Sequence, residues 1–309
     1  MLLAWIQLIG GLVLLVFGGE FIVRSSVKIA TFLRISPMVV GLTIVSFGTS
    51  FPELVVSVNA ALSGYPDISI GNVVGSNIAN LALVLGLTAL IKPMEVTRSN
   101  IMMDWLIMLL ATGTFILLSI DNVLVRWEGL FLVTSLFVYN IWIMRQGRSN
   151  YSEEIEVVKP PLAKILRSVL ILGISITVLV LGAELMIDGA VSIARNWDVE
   201  ERVIAVTIIA FGTSVPELAT SMLALRKNEL GLSLGNLIGS NIFNILGIIG
   251  ITATLTSIKV SQPVFDFDFY WVALIPLTVF PFLILSQKIG RFLGALLLMS
   301  YFAYLYFVF

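Results

Sequence analysis

One polar stretch occurs twice in this chain. The first copy reads Gly41-Leu42-Thr43-Ile44-Val45-Ser46-Phe47-Gly48-Thr49-Ser50-Phe51-Pro52-Glu53 and continues to Gly75-Ser76-Asn77-Ile78-Ala79-Asn80. The second reads Thr207-Ile208-Ile209-Ala210-Phe211-Gly212-Thr213-Ser214-Val215-Pro216-Glu217 and continues to Gly239-Ser240-Asn241-Ile242-Phe243-Asn244. A constant offset of 164 aligns them without a gap, with 20 identities in the 46 positions from Gly41–Gly86 against Ala205–Gly250. Most identities are Gly, Ser, Thr, Asn, Pro or Glu, which a purely lipid-facing helix avoids. A polar motif duplicated inside apolar segments places chemistry at the centre of a membrane.

The surrounding composition agrees. Of 309 residues, 58% are hydrophobic and 12% charged, against about 25% charged in a soluble domain. The long apolar runs then imply an integral membrane protein. A net charge of −1 gives no reason to expect a nucleic-acid partner. The chain has no Cys and no His, which removes disulfides, zinc and haem sites, thiol nucleophiles and histidine proton relays. With no nucleophile–base pair or cofactor motif, an enzyme is not expected, and neither a cofactor nor an obligatory protein partner is implied.

Ten runs are long enough to cross a bilayer, which takes about 20 residues each. They lie near 2–23, 36–62, 68–91, 101–120, 123–144, 165–187, 203–225, 231–257, 269–286 and 291–309. The first starts without a basic n-region and has a counterpart near Ile171–Ile187, so it reads as a span and not as a cleaved signal. Strand-like alternation is absent. The expectation is an all-α membrane protein with ten transmembrane helices in two five-helix halves. Residues 1–146 form the first half with its repeat at 41–86. Residues 147–163 form a linker with the acidic run Glu153-Glu154-Ile155-Glu156. Residues 164–309 form the second half with its repeat at 205–250.

Five spans per half is an odd number, so copies with one fold must enter the membrane from opposite sides. The basic residues can be counted on that assumption. With the N-terminus outside, 14 of the 18 Lys and Arg fall on the cytoplasmic side, and only Arg126, Arg195, Arg202 and Lys259 fall outside. That bias fits the positive-inside rule. Both termini are then expected outside and the linker inside, in a multi-pass membrane protein.

Pro52 has no N–H and its ring clashes with the carbonyl of Gly48, so the helix should break there and release carbonyl oxygens. Pro216 and Gly212 repeat the device. Glu53 follows at once, with Thr49 and Ser50 four and three residues before it, near its face. Ser76 and Asn80 stand four apart on the next helix. Glu217, Thr213, Ser214, Ser240 and Asn244 mirror the set. Pooled, the copies offer two carboxylates, six hydroxyls and two amides, with released carbonyls besides. All can present oxygen. Ca²⁺ takes 6–8 oxygen ligands, and two buried carboxylates are costly until one Ca²⁺, or two or more Na⁺, neutralises them. Soft metals are disfavoured. A single Gly-Thr-Ser-x-Pro motif is often only a kink, and Gly71, Gly75, Gly235 and Gly239 suit close helix packing. Two matched Glu beside two matched kinks go beyond packing. Glu20 and Glu184, also paired by the offset, read as interhelical or interfacial contacts.

Gly-Thr-Ser-x-Pro-Glu followed by Gly-Ser-x-x-x-Asn, twice, resembles the α-repeats of sodium/calcium exchangers in the calcium/cation antiporter superfamily, of the short prokaryotic type. The resemblance covers essentially the whole chain. It implies broken helices 2, 3, 7 and 8 around a midplane ion site, and Glu53 and Glu217 binding Ca²⁺ and Na⁺ in competition. It implies further oxygens from Thr49, Ser50, Ser76, Thr213, Ser214 and Ser240 and from the backbone carbonyls of Ser46 and Ala210. It also implies that helices 1 and 6 slide across the core to alternate access. Asn stands at both 80 and 244, where potassium-dependent members use Asp, so potassium dependence is not expected. The expected function is secondary antiport of Na⁺ against Ca²⁺, with the ions and the bilayer as partners. The alternative keeps the fold and couples Ca²⁺ to protons, which carboxylates can carry. Proton-coupled members usually lack the Gly-Thr-Ser-x-Pro-Glu form. A passive channel needs a continuous pore, which broken inverted repeats do not suggest.

Overall fold

The computed structural model of the chain describes residues 1–95, 98–149, 161–197, 212 and 214–308. The described chain is helical apart from turns and four two-residue strands. Among the described residues, eight helices are long and apolar enough to cross a membrane, and a broken pair, Pro37–Thr49 with Phe51–Leu62, makes a ninth candidate. Many large apolar side chains on these helices are exposed, Leu2, Ile6, Leu110 and Leu117 among them, as lipid-facing helices require. The chain is a multi-pass integral membrane protein. Most of the expected span at 203–225 and the acidic run at 153–156 lie outside the described residues, so the count of ten is not reached by observation.

The sequence offset reappears in the backbone. Helix α1 spans Leu2–Leu33, α2 Pro37–Val40 and α3 Ser46–Thr49. Then α4 (Phe51–Leu62), α5 (Pro66–Ile78), a π-helical segment at Ala79–Leu85 and α6 (Gly86–Ile91) follow. After α7 (Arg98–Leu118), α8 (Arg126–Ser149) and α9 (Leu162–Asn196), the series returns as α10 (Val215–Arg226), α11 (Leu230–Ile242), a π segment at Phe243–Ile249 and α12 (Gly250–Leu255). Each bound in the second series is the first plus 164: 51 + 164 = 215, 79 + 164 = 243, 91 + 164 = 255. The aligned segments therefore share their local structure, down to the seven-residue π irregularity.

Those irregularities correct one expectation. Helix 2 does break, at Ser50, where φ is −90° and ψ 10°. Spans 3 and 8 do not. They run through as Pro66–Ile91 and Leu230–Leu255, with the π segments as their only departures from α geometry. Neither span has a proline beyond its first turn to delete a hydrogen bond. A π turn re-routes the backbone bonds without ending the helix.

The chain forms two compact units, Met1–Thr49 with Trp142–Asn236 and Ser50–Ile141 with Leu237–Phe309. Each draws on both sequence halves. In the first unit α1 lies along α9. A Cβ on Gly11 would stand 2.6 Å from the Gly182 carbonyl oxygen, so glycine is what lets the two helices approach. Glu20 on α1 pairs with Arg24 at 2.7 Å and with Lys227, which caps the C-terminus of α10. The expected interhelical role of Glu20 is thus observed.

In the second unit α7 packs against α13 (Phe269–Leu285). Strand β1 (Met94–Glu95) before α7 pairs with β4 (Lys288–Ile289) after α13. Strand β2 (Val123–Leu124) after α7 pairs with β3 (Ile258–Lys259) before α13. The two helices are therefore antiparallel and tied at both ends. Trp105 on α7 donates its indole N–H to the Pro276 carbonyl at 3.1 Å, and helix α14 (Arg291–Val308) covers α6.

Candidate functional site

Both motif carboxylates open a helix. Ser50 occupies the N-cap of α4, Pro52 its start and Glu53 its first turn. Ser214, Pro216 and Glu217 occupy the same places on α10. Proline suits a first turn because the N–H it lacks is unpaired there anyway. Glu53 and Glu217 are each 1% exposed. A carboxylate buried this deeply is tolerable only with compensating charge or hydrogen bonds.

The expected oxygen donors are buried with them. Ser46, Thr49, Ser50, Ser76, Asn80, Ser214, Ser240 and Asn244 are all 4% exposed or less. Thr213 and Ala210 lie outside the described residues. Ser46, Thr49, Ser214 and Glu217 belong to the first unit; Ser50, Glu53, Ser76, Asn80, Ser240 and Asn244 belong to the second. Within the first unit, α3 of the first copy packs on α10 of the second copy, bringing the segment of Ser46 and Thr49 to that of Glu217. Within the second unit, α4 and α5 of the first copy pack on the Phe243–Ile249 segment of the second, bringing Glu53's helix to that of Asn244.

Amides hold these segments in place. In the first unit Thr49 Oγ1 donates to Asn236 Oδ1 at 3.2 Å and to the Ser46 carbonyl at 3.4 Å. Asn236 Nδ2 donates to Ser221 Oγ at 3.4 Å. In the second, Asn72 Nδ2 donates to the Glu53 carbonyl at 3.2 Å and to Ser57 Oγ at 2.9 Å. Asn77 Nδ2 donates to the Asn241 carbonyl at 3.3 Å, and Asn244 Nδ2 donates to Asn77 Oδ1 at 3.0 Å. Sequence reasoning left out Ser57, Asn72, Asn77 and their mates Ser221, Asn236 and Asn241. Their signal was present: all three pairs are identities at the offset of 164.

Several buried polar atoms have no hydrogen-bond partner among the described residues: Ser76 Oγ, both amide atoms of Asn80, Asn244 Oδ1 and Ser214 Oγ. Native interiors keep such atoms rarely, and unmatched oxygens at a functional site are candidates for an ion. Every expected donor offers oxygen. Buried oxygens of this kind, present in each unit, suit a hard cation.

The profile of the sodium/calcium exchanger protein family matches residues 3–145 and again 167–309. The chain belongs to that family. The second match is the first displaced by the same 164 residues (3 + 164 = 167, 145 + 164 = 309). As a family member the chain is 30% identical to the sodium/calcium exchanger MaX1 of Methanosarcina acetivorans over 336 residues, covering 96% of this chain and 95% of that protein. It is 34% identical to the inner membrane protein YrbG of Escherichia coli over 309 residues, covering 96% and 94%. A solved structure of the sodium-calcium exchanger NCX_Mj superimposes with a TM-score of 0.86 at 33% identity, covering 98% of each chain.

Proposed function

We propose that the chain is a secondary antiporter that exchanges Na⁺ for Ca²⁺ by alternating access through a single ion site. The observation that carries this reading is the pair of carboxylates, Glu53 and Glu217, each almost wholly buried in the first turn of a helix. Two buried carboxylates are costly until cations neutralise them. In this reading the carboxylates and the hydroxyls of Thr49, Ser50, Ser76, Thr213, Ser214 and Ser240 coordinate the ions. Asn80, Asn244 and the carbonyls of Ser46 and Ala210 complete the shell. The names of MaX1 and NCX_Mj support the choice of ions.

The architecture we propose has ten spans in two inverted halves, 1–146 and 164–309, with 147–163 as a cytoplasmic linker and both termini outside. The antiparallel course of α7 and α13 supports inversion. The two helices follow the matched strands β1 and β3 (94 + 164 = 258), so corresponding elements point opposite ways. The cell membrane is the proposed location, as the name of the E. coli relative suggests.

Uptake of ⁴⁵Ca²⁺ into proteoliposomes under Na⁺, H⁺ and K⁺ gradients imposed singly tests the function. An outward Na⁺ gradient alone should drive uptake. Uptake driven by a proton gradient alone would replace Na⁺ coupling with H⁺ coupling. A single cysteine at Tyr151 should be shielded from impermeant reagents outside intact cells; labelling there would overturn the orientation.

A further inference from the structure

A cation site built partly from asparagine faces a difficulty that a carboxylate does not. One end of the amide is an acceptor and the other carries two N–H donors. Only the oxygen can meet a cation, and a half-turn of the side chain would present N–H groups to it instead. Some neighbour must decide which end faces the ion.

The second unit contains a chain of bonds that decides it for Asn244. The series begins at the backbone carbonyl of Asn241, which can only accept. It takes the Asn77 Nδ2 proton at 3.3 Å, and this fixes which end of the Asn77 amide is nitrogen. Asn77 Oδ1, at the other end, can then only accept, and it takes a proton from Asn244 Nδ2 at 3.0 Å. Asn244 Oδ1 is left facing away from the pair, without a hydrogen-bond partner among the described residues. Asn77 and Asn244 are 2% and 0% exposed, so bulk water does not compete for these groups. At the matched position of the first copy, both amide atoms of Asn80 lack a partner among the described residues. The clamp therefore acts on one copy only.

We propose that Asn77 is a positioning residue for ion binding: it holds the Asn244 amide with its oxygen toward the ion. This rests on the reading above in which Asn244 supplies an oxygen to the cation, and it adds a residue that is not itself a ligand. An aspartate at 244 would need no such clamp, because both of its terminal atoms are oxygen.

The test is a double-mutant cycle on the purified full chain, with Ca²⁺ titrated calorimetrically. Asn244→Ala should weaken Ca²⁺ binding; unchanged binding would remove Asn244 from the site and the clamp with it. Asn77→Leu should cost more than about tenfold in affinity, the range for losing a well-placed ligand to a charged group. In an Asn244→Asp background the same Asn77→Leu change should cost less than about threefold, because orientation no longer matters. An equal fold-loss in both backgrounds would make Asn77 merely structural and overturn the proposal. Melting temperatures without ions give the control, since a packing role would shift them alike in both backgrounds. Should Asn77→Leu not fold, Asn77→Ala also removes the acceptor for Asn244 and takes its place in both backgrounds, with the same two outcomes.

Discussion

In the second copy of the repeat, Asn244 gives an amide proton to Asn77; in the first, Asn80 at the matched position has no such partner among the described residues. The backbone around both is the same, a π segment of seven residues opening at 79 and at 243. What differs is the filling. The first copy has Ala79 and Leu83 four residues apart, and the second has Phe243 and Gly247. A Cβ on Gly247 would stand 2.7 Å from the Phe243 ring, so the large and small side chains have changed places within one turn. The π segment forms in both copies although only Asn80 and Asn244 are identical within it, so the backbone is shared where the side chains, and their bonding, are not.

The largest effect should fall on what the copies share. Glu53→Gln and Glu217→Gln should each insert and fold but abolish exchange in proteoliposome flux. A carboxylate 4 Å from a divalent ion at an effective dielectric near 20 is worth roughly 8 kcal/mol before desolvation, which no hydroxyl supplies. Loss in one variant with full activity in the other would mean that the copies are not equivalent in charge.

A smaller effect should fall on what the copies do not share. Gly247→Leu alone should lower stability by about 1–3 kcal/mol through overpacking against Phe243. Adding Phe243→Ala rebuilds the Ala79 and Leu83 pattern of the first copy and should recover most of the loss in thermal melts. A double variant no better than the single one would show that the exchange of volumes is not what fits each copy to its surroundings.

The smallest effect belongs to the neutral donors. Ser50→Ala and Ser214→Ala should each weaken apparent ion affinity by about 0.5–1.5 kcal/mol with the fold intact. Unchanged Na⁺ and Ca²⁺ dependence in both would remove these hydroxyls from the site.

The described spans, the offset and the break beside Pro52 were legible in the sequence because each rests on local rules: apolar run length, residue identity and a missing N–H. The π segments were not. Ala79-Asn80-Leu81 has no residue that forbids an α-helix, and the choice of hydrogen-bond partner is made by packing from other elements. The expectation of breaks in spans 3 and 8 came from the family resemblance, and no residue beyond the first turn of those spans deletes a backbone bond as Pro52 does. The compact units were equally hidden, since each joins segments more than ninety residues apart. Asn72, Asn77 and Asn236 were visible as identities, but nothing in a linear spacing says that Asn236 accepts from Thr49 across 187 positions.

The central claim is that one buried carboxylate pair serves both ions. Calorimetric titration of Ca²⁺ into the purified chain, with and without saturating Na⁺, tests it most directly. Because both ions would neutralise Glu53 and Glu217, Na⁺ should displace Ca²⁺ and raise its apparent Kd more steeply than in proportion to the Na⁺ present. Ca²⁺ binding that ignores Na⁺ but falls steeply as pH drops through the carboxylate range would contradict the account and give the site to protons.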